Sequence, residues 1–323
     1  MVELSCMVMP EGPVGQVVEI ACEAERLGFR RVWIPDEGLS GRECYVTLAA
    51  VASATHRVQI GTGITNAYTR HPGVTAAAIA TLDELSAGRA VLGVGAGGSL
   101  TLDPLAIERA APLSAVRNLI TVSRSLWAGE EVDGTAPTGS FRSACLTFGR
   151  HDIPIWVAGR GPKMMQLAGE LGDGFILSYI HKEMIGAHVD AISAAAADAG
   201  RPRPRLAYMT LIAMTDAQLE AARTSLTFRL VDSSAETKER IGMSQADTAR
   251  LREAIASGGP AGAAHLVRPE WVTQFVIAGS PGECADELRG LMTTNGLDEF
   301  QISIDDLGTG AQALATMAAL VAK

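Results

Sequence analysis

Four stretches of this 323-residue chain carry residue types and spacings that could do chemistry. The first is Ala158-Gly159-Arg160-Gly161-Pro162-Lys163, which follows an apolar run at 154–157. Small residues leading into a helix leave backbone N–H groups free at its N-terminus, where the helix dipole favours an anion. Arg160 and Lys163 add positive charge. A phosphate group fits this pattern. The second stretch is Asp36-Glu37, two adjacent carboxyls that could hold a polar ring or act as acid and base. The third is Gly61-Thr62-Gly63-Ile64-Thr65-Asn66, followed by Ala67-Tyr68-Thr69-Arg70-His71-Pro72. Its glycines permit close backbone approach. Asn66, Tyr68, Arg70 and His71 form a polar cluster in which His71 is a candidate proton donor. The fourth is Gly93-Val94-Gly95-Ala96-Gly97-Gly98, a turn on which a flat ring could lie.

Each stretch follows a short apolar run, and the runs explain how the stretches meet. Eight runs read as strands: 4–9, 31–34, 58–63, 90–95, 154–158, 174–178, 206–214 and 300–304. They are continuous in hydrophobicity instead of alternating, as expected of parallel strands buried on both faces. Amphipathic segments connect them. In the first connection Val17, Val18, Ala21, Ala24 and Leu27 share one helical face, and Gly28 stands where a C′ glycine ends a helix.

Eight such units predict a (β/α)8 TIM barrel in the α/β class, one domain over 1–323. Insertions are expected after strands four and seven, where the connections 96–153 and 215–299 are too long for simple crossovers. The second connection holds 275–278, a possible further strand, and Ser280-Pro281-Gly282-Glu283, a capping box. An open doubly wound sheet is the alternative, but no GxGxxG follows the first run. A TIM barrel keeps its active site at the C-terminal ends of its strands, and all four stretches fall there.

Composition narrows the partners. A formal net charge of −9 argues against nucleic acid and anionic membranes, leaving a small-molecule substrate. No apolar stretch approaches the ~20 residues of a membrane span, and no leader pattern opens the chain, so a cytoplasmic protein is expected. The five scattered cysteines form no CxxC and read as reduced thiols. No HExxH or His/Asp cluster suggests a metal, and GxSxG and P-loop signatures are absent.

The segment 61–72, the segment 80–97 and the stretch Ala158–Met164 with Leu167-Ala168-Gly169-Glu170 and Asp173-Gly174 resemble the bacterial luciferase-like superfamily. More closely, they resemble its coenzyme F420-dependent branch, typified by methylenetetrahydromethanopterin reductase. The resemblance covers nearly the whole chain. It implies a deazaflavin ring over strands two to four, with Asp36 contacting the ring and Gly63-Ile64 joined by a cis peptide behind it. It places Ala96 and Gly97 at the ring or tail, and Gly159, Arg160 and Gly161 at the phosphate, with Ala158, Pro162, Lys163 and Asn66 completing the cofactor site. Cys6, Met7 and Tyr68 would line the substrate pocket, with Met9 also on its soft strand-one side.

The resemblance implies an F420-dependent reductase or dehydrogenase acting on C=C, C=N or CH–NH bonds, with Glu37 or His71 as proton donor. Two departures matter, the first implying a different type of proton donor and the second a changed substrate. Glu37 stands where several F420 enzymes carry His, and Met7 stands where the reductase carries an acid. Alternatives are an FMN-dependent monooxygenase and a non-catalytic flavin-binding barrel. A homodimer is also implied.

Overall fold

Strands that are apolar on both faces need cover on both faces, and a barrel ringed by helices supplies it. In the computed structural model, which describes residues 2–322, eight parallel strands close on themselves. They are β1 (Glu3–Val8), β2 (Arg31–Ile34), β3 (Gln59–Thr62), β4 (Ala90–Gly95), β5 (Ile155–Ala158), β6 (Gly174–Ser178), β7 (Arg205–Met209) and β8 (Glu299–Ile304). Each pairs with its neighbours in sequence. The ring shuts where β1 meets β8, Glu3 facing Glu299, and β3 meets β4 directly, Ile60 facing Ala90. The two-residue strand Thr65–Asn66 extends the β3 side along β4. Each of the eight expected runs contains a barrel strand, and the TIM barrel is the fold.

Alternation along each strand sorts the core into two layers. Cys6, Val8, Val32, Ile34, Leu92, Val94 and Val157 face the helices. Trp33, Val91, Trp156, Ile176 and Ala207 belong to a separate cluster inside the barrel. Trp33 and Trp156 meet edge to face there, their rings 5.6 Å apart. Such bulk requires glycine opposite: a Cβ on Gly174 would lie 2.2 Å from Cδ2 of Trp156, a fully buried indole with no room to withdraw. Gly174→Ala is therefore expected to lower stability by roughly 1–3 kcal/mol through overpacking, read as a lower urea midpoint at unchanged slope. Below the indoles, buried Arg31 pairs with buried Glu299 and lies over Trp156, its guanidinium carbon 4.5 Å from the ring centre.

The connection after β4 holds the helix Pro112–Trp127 and an antiparallel hairpin, Val132–Ala136 with Gly139–Ala144. The connection after β7 holds the helices Asp216–Val231, Gln245–Ala263 and Pro281–Thr294. Its Leu226, Leu230, Trp271 and Phe275 join the inner cluster, which anchors the connection to the barrel interior. The sequence pattern reads 206–214 as one run, but the strand stops at Met209. The Thr210 hydroxyl donates to the Phe275 carbonyl at 2.6 Å, and the chain leaves the barrel. Ile212–Ala213 then pairs in parallel with Ile277–Ala278, which is the further strand expected near 275–278. The capping box at Ser280 and Glu283 forms as its spacing predicts. Among the described residues, no helix is long and apolar enough to cross a membrane.

Candidate active site

The C-terminal mouth of the barrel has an anion-seeking loop, an apolar floor and a polar wall. The loop begins where β5 ends at Ala158. Gly161 is the N-cap of the helix Pro162–Leu171 and is extended (φ −94°, ψ 149°), with no side chain capping the helix. Among the described residues, the N–H groups of Arg160, Gly161 and Lys163 have no acceptor. A Cβ on Gly161 would meet nothing within 4 Å, whereas one on Gly159 would sit 2.5 Å from Met164 Cγ. Gly159 is thus required by packing, and Gly161 faces open space. Arg160 is half-buried; burial lowers its pKa, the nearby Arg229 lowers it further, and Asp232 opposes both. Lys163 is exposed at the first turn.

The floor is formed by Met7, Ile64 and Ala158, half-buried side chains that cap the inner cluster. The Gly63–Ile64 peptide is cis. Gly95 leaves room for Ile64, whose Cδ1 would lie 2.1 Å from a Cβ there. Since Ala158 belongs to the floor and precedes Gly159, floor and loop are continuous.

Asp36 forms the polar wall. Its buried carboxylate accepts from the Thr65 hydroxyl at 2.7 Å and from Arg70 at 3.2 Å, both through Oδ2. Arg70 also pairs with Glu43 and stacks on Tyr45, 4.3 Å from the ring centre, while the Tyr45 hydroxyl donates to Thr65 at 3.3 Å. This scaffold fixes one oxygen of Asp36 and leaves Oδ1 without a protein donor among the described residues. Glu37 alongside is half-buried, and Thr101 Oγ1 reaches its Oε2 at 3.4 Å. Burial pushes its carboxyl pKa up; the Thr101 hydrogen bond opposes this, and the charges of Asp36 and Glu11 add to it.

A raised pKa keeps the acid protonated to higher pH than an ordinary Glu. If Glu37 donates the proton, activity is greatest below its pKa and falls as pH rises through it, in a window above the usual ~4.3. Glu37→Gln is expected to remove that limb from the pH profile of kcat/KM; a limb that persists would assign it to another group.

Asn66, Ala96 and Gly97 come together beside the floor. Asn66 Oδ1 accepts from the N–H groups of Tyr68 and Thr69, both at 2.9 Å, so this oxygen holds its own turn. Gly97 has φ +72°, and a Cβ would approach Asn66 Cβ at 3.2 Å. Tyr68 donates to the Ala110 carbonyl at 2.9 Å, tying the 97–111 segment to the mouth.

Two expectations require correction. Cys6 does not line the mouth: one position from Met7 on β1, it points outward, is fully buried against the helix layer, and has a thiol pKa raised by that burial. His71 is not poised as a proton donor. It is the N-cap of the helix Pro72–Leu85, with Nδ1 accepting from Gly73 N–H at 3.2 Å. That tautomer leaves Nε2–H for the Ser140 carbonyl at 3.2 Å, and the ring packs 4.7 Å from Phe141 of the hairpin. Residue types and spacing missed the roles of Thr65 and Arg70. Arg70 is 34 residues from Asp36, and only the neighbouring ends of β2 and β3 bring the pair together. Among the described residues, no group of three or more His, Cys, Asp or Glu could hold a metal.

A sequence profile described as luciferase-like monooxygenase matches residues 1–299. The chain belongs to this family. Within it, the chain is 34% identical over 290 residues to a 5,10-methylenetetrahydromethanopterin reductase of Methanolobus tindarius, covering 88% of this chain and 89% of that one. It is also 34% identical over 277 residues to the enzyme of that name from Archaeoglobus fulgidus, covering 83% of each. In three dimensions it resembles the coenzyme F420-dependent tetrahydromethanopterin reductase of Methanopyrus kandleri. The TM-score is 0.87 at 25% identity, over 99% of this chain and 98% of that one.

Proposed function

We propose that this member of the luciferase-like family is a coenzyme F420-dependent oxidoreductase that moves a hydride between the deazaflavin and a small organic substrate. One observation carries the reading: free loop N–H groups at Arg160, Gly161 and Lys163 run without a break into the apolar floor of Ala158, Ile64 and Met7. A ligand with an anionic tail and a flat ring fits that continuity, and the reductase relatives support F420 as that ligand. When bound, the deazaflavin supplies the hydride chemistry.

The protein residues bind, orient and protonate. The loop N–H groups with Arg160 and Lys163 would hold the phosphate. Ile64 and Ala158 would back the ring, and Asp36 would accept from its polar edge through Oδ1. Glu37, its carboxyl pKa raised by burial, is the group that would give or take the substrate proton. Met7 on the strand-one side suits an apolar substrate body carrying a C=C, C=N or CH–NH bond at the reacting carbon.

The runner-up is an FMN-dependent monooxygenase, favoured by the description of the family itself. Turnover separates the two. Reduced F420, mixed anaerobically with the protein and a panel of imines and enones, should be oxidised without O₂. Inertness in that assay, together with O₂ consumption on reduced FMN, would favour the monooxygenase.

Asp36→Ala leaves Arg70 and Thr65 without their acceptor and removes the wall beside the ring. We expect F420 affinity to fall about tenfold, the loss of one charge-assisted hydrogen bond of ~1.5 kcal/mol. Deazaflavin fluorescence quenching checks it.

A further inference from the structure

Tyr179 directly follows β6 at the mouth and is in an unusual state. Its φ is +51°, a left-handed conformation that bulky side chains rarely adopt, and its N–H is pinned to the Met209 carbonyl at 2.8 Å. The side chain is only 4% exposed. Yet its hydroxyl has no hydrogen-bond partner among the described residues, and it is not among the sealed-off orphan atoms of the interior. A buried phenol whose hydroxyl reaches open space without a protein partner is free to donate to a bound group.

One guanidinium covers its ring, and the charge of a second reaches it. Arg229, from the helix Asp216–Val231, stacks on the Tyr179 ring, 3.6 Å from its centre. Its one side-chain hydrogen bond among the described residues goes to the Ser225 carbonyl, one turn back in its own helix. Arg160 comes from the loop after β5, within range of the Arg229 charge. Two acids lie nearby, Asp232 beside Arg160 and Asp305 beside Tyr179. Neither forms an ion pair with either arginine among the described residues. Arg229 raises the positive potential at half-buried Arg160, Asp232 offsets it without forming an ion pair, and an oxyanion at this place would gain from both guanidinium groups.

We infer that Tyr179 and Arg229, acting with Arg160, form an oxyanion clamp at the barrel mouth that binds a phosphate or carboxylate group. This adds an element from the connection after β7 to the loop site, and it rests on the proposed cofactor reading only for the source of the anion. That source is either the phosphate-bearing tail of the cofactor or an acidic group on the substrate. An arginine fork and a phenol hydroxyl suit the same chemistry in both cases.

Calorimetric titration with inorganic phosphate tests the clamp. Wild-type protein should bind phosphate, Arg229→Gln at least tenfold more weakly and Tyr179→Phe severalfold more weakly, with melting temperatures unchanged. Arg229→Lys keeps the charge but loses the fork, and should lie between wild type and Arg229→Gln; it serves as the second variant if the first is unstable. Phosphate binding that is absent from wild type, or equal in wild type, Arg229→Gln and Arg229→Lys, would overturn the clamp. Repeating the titration on protein saturated with F420 identifies the source. Phosphate binding that persists and still depends on Arg229 assigns the clamp to the substrate. Binding abolished by F420, with F420 itself weakened in Arg229→Gln, assigns it to the cofactor tail. Failure of wild-type protein to bind F420 would sink the cofactor reading alone, since the phosphate comparison does not require it.

Discussion

Gly161→Asp should give a protein at least as stable as wild type that binds F420 about a hundredfold more weakly. The site accepts a side chain: a Cβ meets nothing within 4 Å, and the φ of −94° suits any L-residue. Aspartate is a favoured N-cap where this helix has none, worth a few tenths of a kcal/mol over glycine. The introduced carboxylate would take the free N–H of Lys163 and place a negative charge where the phosphate should bind. Losing one or two charge-assisted hydrogen bonds, at about 1.5–3 kcal/mol each, corresponds to roughly two orders of magnitude in Kd. Stability and affinity would therefore move in opposite directions, which a general folding defect cannot mimic. Thermal melts and fluorescence titration read the two quantities. Unchanged affinity would remove the anion from this loop.

The largest stability loss is expected at the base of the barrel. Glu299→Leu strands the Arg31 guanidinium between Trp156 and a strand interior, with side-chain exposure of only 4%. Burial already pushes the Arg31 pKa down to about 10 and the Glu299 pKa up, against their mutual attraction. Removing one partner of a buried pair costs about 3–5 kcal/mol, because the remaining charge keeps its desolvation penalty without its counter-ion. The double variant Arg31→Met/Glu299→Leu should recover most of that loss, since neither charge is then buried. Urea unfolding of the two singles and the double completes the cycle. A double variant as unstable as the sum of the singles would mean that packing, not charge, dominates there.

Much of the fold was legible because it follows from local rules. Runs apolar on both faces gave all eight strands, and the small-residue stretch after the fifth gave the anion loop. The capping box at Ser280 and the C′ glycine at Gly28 could be read from a few adjacent residues. Long-range pairing was hidden. The break of the seventh run at Met209 depends on Thr210 finding Phe275, 65 residues away. His71 looked like chemistry because its type suggests it; its hairpin partners Ser140 and Phe141 are 69 and 70 residues on, at no telling spacing. Cys6 and Met7 differ by one position, and alternation alone decides which faces the mouth. The strand boundary had to be known to one residue before Cys6 could be excluded. Tyr179 and Arg229 carry no motif, and only the left-handed backbone and the stacked guanidinium single them out.

The central claim is that the mouth binds a deazaflavin by its phosphate loop and floor. Parallel fluorescence titrations of the purified protein with F420 and with FMN, on wild type and Gly161→Asp, test it most directly. The account predicts saturable F420 binding at micromolar levels, weaker binding of FMN, and loss of F420 affinity in the variant. FMN bound more tightly than F420, or neither bound, would contradict it.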